Sequence, residues 1–313
     1  MEEKIIDPVD ISLIKAELTP DRFLRETNKG NNLIYIVDAH TAPNTMREIG
    51  RLREISFRSA GGGTGTPCDI DRFDTMTPPC RQIIVWDPDS DQILGGYRYI
   101  TGSDIRFTAE GAPRIATSHM FDFSERFIKD FLPHTIELGR SFVRPEYQSS
   151  RAGAKALYAL DNLWDGLGAL TVIHPEIKYL FGKVTMYPSY SRDCRDMILY
   201  FLNRHFPDPD NLVRPRTPLA ADFDTSAMES LFTGTTFAED YRILNKAIRN
   251  HGVNIPPLVN AYMSLSPTMR IFGTAINDEF GNVEETGIFF AISEIFEEKK
   301  QRHIGTYHND HRD

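Results

Sequence analysis

The sequence predicts an α/β fold in which one mixed sheet carries helices on both faces. Two patterns and one bound support this. The apolar runs Gln82-Ile83-Ile84-Val85-Trp86 and Ile93-Leu94-Gly95-Gly96-Tyr97-Arg98-Tyr99-Ile100 flank the turn Asp87-Pro88-Asp89-Ser90-Asp91, which is the signature of an antiparallel hairpin. Beyond it, strands and helices alternate from about residue 136 to residue 206, the pattern of crossover connections. The 313 residues, 41% hydrophobic and 25% charged, are enough to bury a sizeable core.

Taken in order, Thr19-Pro20-Asp21 is a helix start that Gly30 bounds, and Leu33–Val37 is a strand by its β-branched and aromatic content. Asn44 is expected to cap a helix to about Arg58, with Met46, Ile49, Leu52, Ile55 and Phe57 on its apolar side. Ala60-Gly61-Gly62-Gly63-Thr64-Gly65 lacks the Gly-Lys-Ser/Thr ending of a phosphate loop, and reads either as a mobile flap or as a linker. Ser124 caps a short helix through Phe131, which Pro133 ends. Small residues such as Ala152, Gly153, Ala159 and Gly166 let a helix from about Ala152 to Leu170 lie close to the sheet. Tyr179–Met186 is a strand and Asp193–Phe206 a helix. The proline-rich run from Pro207 to Pro218 marks a division into residues 1–209 and 210–313. The second part holds a helix near Glu239–His251, strands around Met269–Ile276 and Ile288–Ile295, and a charged tail from about residue 297.

Composition excludes several classes of function. A formal net charge of −9 argues against broad nucleic-acid binding. No apolar run reaches the ~18 residues of a membrane span, and Met1-Glu2-Glu3-Lys4 is not a secretory leader. A cytoplasmic protein is expected, with any membrane contact peripheral. Cys68, Cys80 and Cys194 have no metal-ligand spacing and read as free thiols. Asp69, Asp71 and Asp74 lack the glycine and terminal glutamate of a calcium loop, so no metal is expected. No G-x-S-x-G, H-E-x-x-H or H-x-x-x-x-D motif supplies a nucleophile, a zinc site or a histidine–aspartate acyltransferase centre.

The most informative stretch is Ile136-Glu137-Leu138-Gly139-Arg140-Ser141-Phe142-Val143-Arg144-Pro145, followed by a polar loop and the small-residue helix. Pro145 cannot donate to a sheet ladder, so the strand stops or splays there. The loop places backbone N–H groups and arginines at a helix N-terminus, an anion-binding turn. Glu137 and Arg140 lie three apart, so strict alternation sends them to opposite faces. For each, a structural ion pair is the alternative to a role in chemistry.

Glu137-Leu138-Gly139-Arg140-Ser141-x-Val143-x-Pro145-x-Tyr147, with Tyr179-Leu180-Phe181-Gly182 downstream, resembles the ornithine-lipid and glycine-lipid N-acyltransferases. These are often labelled hemolysin-like and belong to the GNAT (Gcn5-related N-acetyltransferase) superfamily. Arg53-x-x-x-Phe57, Cys68-Asp69-Ile70-Asp71-Arg72-Phe73-Asp74 and Gly96-Tyr97-Arg98 resemble the same family and, more distantly, the acyl-homoserine-lactone synthases. The resemblance spans roughly residues 45–205.

It implies a GNAT-like fold and transfer of a long-chain (3-hydroxy)acyl group from acyl carrier protein to the amine of glycine or ornithine, in aminolipid biosynthesis. No cofactor is held permanently; the donor is an acyl-phosphopantetheine thioester, on the carrier protein or on coenzyme A. The resemblance makes Glu137 a general base or amine anchor and Arg140 part of the donor site. It places Asp71, Asp74, Arg98 and Arg53 on the side of the amine substrate, and Val143, Arg144, Arg151, Gly153 and Lys155 at the donor. Arg151 stands where the first glycine of the usual coenzyme A loop belongs, which suits the single phosphate of phosphopantetheine and an acidic carrier protein. Phe57, Phe73, Phe121, Phe142 and Trp164 are either acyl-slot walls or plain core, and Ile255–Tyr262 is a pocket wall or a docking loop. Two rival readings are a synthase-like enzyme using S-adenosylmethionine and a non-catalytic membrane-active protein. No strongly amphipathic segment favours the latter.

Overall fold

A computed structural model of the chain describes residues 2–148, 154–219 and 223–307, the side chains of 154–157 excepted. Its strands are β1 (Phe23–Glu26), β2 (Leu33–Val37), β3 (Arg81–Asp87), β4 (Gln92–Thr101), β5 (Phe121–Phe123), β6 (Thr135–Val143), β7 (Tyr179–Met186), β8 (Val213–Pro215), β9 (Arg270–Asn277) and β10 (Val283–Ala291). Its helices are α1 (Ile11–Glu17), α2 (Pro43–Ala60), α3 (Arg72–Thr75), α4 (Ala154–Ile173), α5 (Arg192–His205), α6 (Thr225–Leu231), α7 (Phe237–Asn250), α8 (Pro257–Met263) and α9 (Glu297–His303). Eight strands form one sheet in the order β1-β2-β3-β4-β6-β7-β10-β9, and β5 pairs with β8 beside it. The pair β6–β7 is parallel, with α4 as its crossover, and every other pair described in the large sheet is antiparallel.

The mixed α/β expectation therefore holds. The segment from residue 210 onward lends β9 and β10 to the same sheet, with β10 running along the whole of β7. The largest apolar cluster joins one sheet face to α4, α5, α7 and α8 through Leu163, Leu167, Ile198, Phe201, Leu244 and Tyr262. A second cluster is aromatic, built by Phe121, Phe127, Phe181, Phe272 and Phe289, and a third packs α2 against Ile84, Trp86 and Phe142. Of the described helices, none is long and apolar enough to cross a membrane.

Three local details differ from expectation. The helix expected from Thr19 to Gly30 is only the 3-10 turn Pro20–Arg22, and the chain then enters β1. Helix α2 begins at Pro43, and Asn44 is not its cap. The carboxylate of Glu17 in α1 accepts from the Asn44 and Thr45 N–H groups, at 3.0 and 2.7 Å, so a distant side chain satisfies the orphan donors. The glycine-rich stretch after α2 is tied down as well. Gly61 ends the helix at φ 93°, and the Glu54 carboxylate accepts from Thr64 N and Gly65 N.

Gly168 marks the tightest approach of α4 to α9: a Cβ there would sit 2.1 Å from the His303 carbonyl oxygen. Both contacting atoms would be backbone-fixed, so the helices must separate to admit a methyl group. Gly168→Ala is expected to cost about 1–3 kcal/mol by overpacking, seen as a lower urea midpoint at unchanged slope.

Candidate active site

The site grows from an interruption in the sheet. Pairing of β6 with β7 covers Thr135↔Tyr179, Ile136↔Leu180 and Glu137↔Phe181 and then stops, so the two strands part. On its other edge β6 stays paired with β4, but one residue is extra: Arg140 and Ser141 together oppose Tyr97. Arg140 adopts φ 48°, in the left-handed region that a side chain rarely occupies. A cavity of about 590 Å³ opens where the strands part, lined by Leu138 through Ser141 of β6, Lys183 and Thr185 of β7 and Glu285 of β10.

Alternation along the strands shows that this cavity reaches both faces of the sheet. Tyr97 projects to the face of the largest cluster, where its hydroxyl lies 2.8 Å from that of Tyr262. The Pro256-Pro257-Leu258 turn and Tyr262 close the cavity there, so the Ile255–Tyr262 segment is a wall. Phe181 pairs with Glu137, so Lys183 and Thr185 share the face of Glu137, and Glu285, opposite Thr185, joins them. That face is polar at the cavity and aromatic below it.

The acidic group and the arginines named from sequence are brought together on that polar face. Asp71 caps α3 by accepting from Phe73 N and Asp74 N. Arg98 Nη1 lies 2.7 Å from Asp71 Oδ2 and 3.3 Å from Asp74 Oδ2. Arg53 Nη1 lies 3.1 Å from Asp74 Oδ2, and its other amino group donates to Gln82. Arg140 Nε lies 2.9 Å from Asp69 Oδ2, with Nη2 3.6 Å from Asp71 and the guanidinium 4.4 Å over the Phe280 ring. Three guanidiniums thus meet three carboxylates. Arg98 and Arg140, with the hydrogen bond from Arg98, hold the Asp71 carboxyl well below its ordinary range against the opposing effect of burial. Burial alone would depress Arg98, but Asp74 and Asp71 raise it well above the ordinary arginine range.

The bulge also corrects the expectation that Glu137 and Arg140 face opposite ways. Arg98 pairs with Gly139, two positions along from Glu137 and on its face, and Arg140 shares Asp71 with Arg98. One inserted residue has reset the alternation. Glu137 itself is buried and does not line the cavity. Its Oε1 accepts from Thr117 N and Oγ1 at 3.0 and 2.8 Å, and burial raises its pKa despite those bonds.

Of the described residues given a catalytic, amine-side or donor-side role from sequence, Arg140 alone lines the cavity. Arg53, Asp71, Asp74 and Arg98 form the scaffold behind it. Val143 pairs with Gly95 at the end of β6, and Arg144 bonds to Gln92 and Glu146. Arg151 and Gly153 lie outside the described residues, as does the side chain of Lys155. Phe57 lines the cavity, whereas Phe73, Phe121 and Phe142 belong to core clusters and Trp164 packs on Tyr262.

Sequence reasoning missed Lys183 and Glu285, which form an ion pair inside the cavity. Burial, reinforced by the Arg140 and Arg98 cations, holds the Lys183 amine well below its ordinary range. A lysine in an otherwise apolar strand was the available signal.

Asp71 offers a test of the scaffold. Its folded-state pKa is depressed, so its contribution to stability is present above the unfolded value of 3.8 and is lost as pH falls below it. Asp71→Asn should cost about 1.5–3 kcal/mol at neutral pH, and the gap to wild type should narrow in denaturant titrations below pH 3.8.

Comparison with known proteins agrees with this architecture. Residues 52–157 match the acetyltransferase (GNAT) domain family. The chain is 65% identical over 311 residues to the glycine N(α)-acyltransferase of Bacteroides thetaiotaomicron, covering 99% of this chain and 92% of that protein. It is 27% identical over 244 residues to the L-ornithine N(α)-acyltransferase of Brucella abortus, covering 76% and 74%. Among solved structures, a coenzyme A-dependent acyl-homoserine lactone synthase, BjaI, aligns over 88% of this chain and 90% of that one, at 11% identity and a TM-score of 0.36. On 65% identity over nearly its whole length, the chain belongs to the glycine N(α)-acyltransferase family, with an acetyltransferase (GNAT) domain at residues 52–157.

Proposed function

We propose that the protein moves a long-chain (3-hydroxy)acyl group from acyl carrier protein to the amine of glycine, giving an N-acyl amino acid for membrane aminolipid synthesis. The observation that carries this reading is the cavity through the parted strands. It is open to both sheet faces, apolar toward Tyr97, Pro257 and Tyr262 and charged toward Arg140, Lys183 and Glu285. A thioester arm entering from one face would meet a small polar acceptor on the other.

Aminolysis of a thioester needs a neutral, positioned amine and a donor for the carbonyl oxygen. The β7-facing edge of β6 beyond Glu137 has no pairing strand. Its backbone N–H groups beside the bulge are suited to polarise the thioester carbonyl, and Arg140 adds positive charge. In this reading Glu137 holds the 116–117 turn and balances Arg98, while Arg53, Asp74, Asp71 and Arg98 fix the position of Arg140. The amphiphilic product would leave toward a bilayer surface, at which the protein would act peripherally.

Two features support a carrier protein as donor. Arg144, Arg151 and Lys155 form a basic group in the sequence. In addition, Arg242, Lys246 and Arg249 of α7 line a depression of about 660 Å³ that has no acidic side chain among its described lining residues and shares Asn254 with the cavity. An acidic carrier would find a complementary entrance there, on a chain that is otherwise strongly acidic.

The reaction is tested by incubating the enzyme with 3-hydroxypalmitoyl-acyl carrier protein and a panel of free amino acids, read by mass spectrometry. N-Acylglycine is expected to predominate and to fall at least about tenfold in Arg140→Ala. Absence of any N-acyl amino acid would reject the proposal. For the donor, the double variant Lys246→Glu/Arg249→Glu should raise KM for the acyl-carrier substrate about tenfold and leave KM for glycine unchanged. An unaltered donor KM would remove α7 from the docking surface.

A further inference from the structure

Lys183 and Glu285 come from strands about a hundred residues apart in the chain and meet as a buried ion pair that lines the reaction cavity. The Glu285 side chain is 1% exposed and that of Lys183 10%. A buried pair that merely held β7 to β10 would be redundant, because those strands already share eight paired positions from Met186↔Glu284 to Tyr179↔Ala291. Isolated buried pairs are also poor stabilisers compared with apolar residues of the same volume. The position calls for a use beyond stability.

Resting on the reading above, we infer that Lys183 and Glu285 are the acceptor site for a zwitterionic α-amino acid. Lys183 takes the carboxylate, and Glu285 takes the ammonium and then its proton. A zwitterion is the ligand whose charges replace an internal ion pair one for one. The carboxylate enters on Lys183 as Glu285 turns to the ammonium, and the net charge of the buried site stays constant. A simple amine would leave Lys183 buried beside the Arg140 and Arg98 cations with no compensating anion, which is costly.

The surroundings fit this exchange. Arg140, Arg98, Glu137 and Asp69 surround Lys183 electrostatically, and the two cations act with burial to disfavour its charged form. An arriving carboxylate relieves that strain, so its binding is favoured by the site as it stands. Thr185, opposite Glu285 on β10, has its hydroxyl 3.3 Å from the Glu285 carboxylate and holds that side chain in the cavity.

The chemistry balances. Bound glycine carries an ammonium. One proton passes to Glu285, and the freed nitrogen lone pair attacks the thioester carbonyl carbon. The tetrahedral intermediate collapses with cleavage of the C–S bond. The second proton lost from nitrogen ends on the departing sulfur as a thiol, and Glu285 releases its proton to solvent. The products are the N-acyl amino acid, the free thiol and one proton.

The test compares glycine with glycinamide, which keeps the ammonium and lacks the carboxylate, at a saturating acyl thioester. Wild-type enzyme should prefer glycine in kcat/KM by about 10–100-fold, the value of a charge-assisted contact to a carboxylate. Lys183→Met should erase that preference by raising KM for glycine alone, and Lys183→Arg should restore part of it. Glu285→Gln, nearly isosteric, should lower kcat for both amines and keep their ratio, with the donor KM unchanged. Retention of the full glycine preference in an active Lys183→Met enzyme overturns the inference, as does equal use of both amines by wild type. If Lys183→Met does not fold, Lys183→Gln with the same ratio readout decides between the same two outcomes. Should wild type acylate no amino acid, the proposed function fails as well. Activity on glycine with unchanged discrimination in the variants rejects only the acceptor site.

Discussion

Everything in the site depends on where one parallel strand pairing ends. The β6–β7 ladder makes three pairs and stops at Glu137↔Phe181. Beyond that point each strand leans on its other neighbour, β6 on β4 and β7 on β10, so the sheet keeps its integrity while its middle opens. A sheet with a gap at its centre loses ladder hydrogen bonds and exposes backbone groups. The fold offsets that loss with long antiparallel pairing on both flanks. The gap leaves an edge of β6 without a pairing strand, a passage between faces and a wall of side chains from either strand.

The bulge at Arg140 is the second consequence. Inserting a residue into β6 opposite Tyr97 turns Arg140 toward the acidic cluster and keeps Tyr97 on the other face. The left-handed backbone at Arg140 is unfavourable for a residue with a Cβ. Contacts with Asp69, Asp71 and the Phe280 ring hold it there. In the same way the buried arginines Arg53 and Arg98 are acceptable only because Asp74 meets both and Asp71 also meets Arg98. The polar layer behind the cavity is therefore a shared set, in which loss of Asp74 leaves Arg53 without an ion-pair partner among the described residues and loss of Asp69 or Asp71 removes one of two partners from Arg140.

Much of this was legible in the sequence. Apolar alternation and the Asp87–Asp91 turn gave the β3–β4 hairpin, and the small-residue helix after the central strand gave the crossover. The family resemblance grouped Asp71, Asp74, Arg98 and Arg53 on the amine side, whereas the structure joins them with Asp69 and Arg140 into a buried charged layer behind the cavity. What strand periodicity cannot carry is register between distant strands. Whether Lys183 meets Glu285 depends on β10 aligning Thr185 with Glu285, a pairing between residues one hundred positions apart. Nor does alternation survive a bulge, which is why Arg140 was assigned to the wrong face. Capping of α2 by Glu17 was hidden for the same reason, since the partner lies in another helix.

The late position of β10 in the chain has a bearing on how the protein is made. Strand β7 leaves the ribosome about a hundred residues before the strand that covers its outer edge, and Phe181, Lys183 and Thr185 lie along it. During that interval an emerging chain presents an unpaired edge beside an incomplete aromatic cluster, a surface prone to wrong pairing. The glutamate that completes the cavity arrives with the strand that closes the edge. Completion of the cavity wall and protection of the sheet edge thus come with a single docking event.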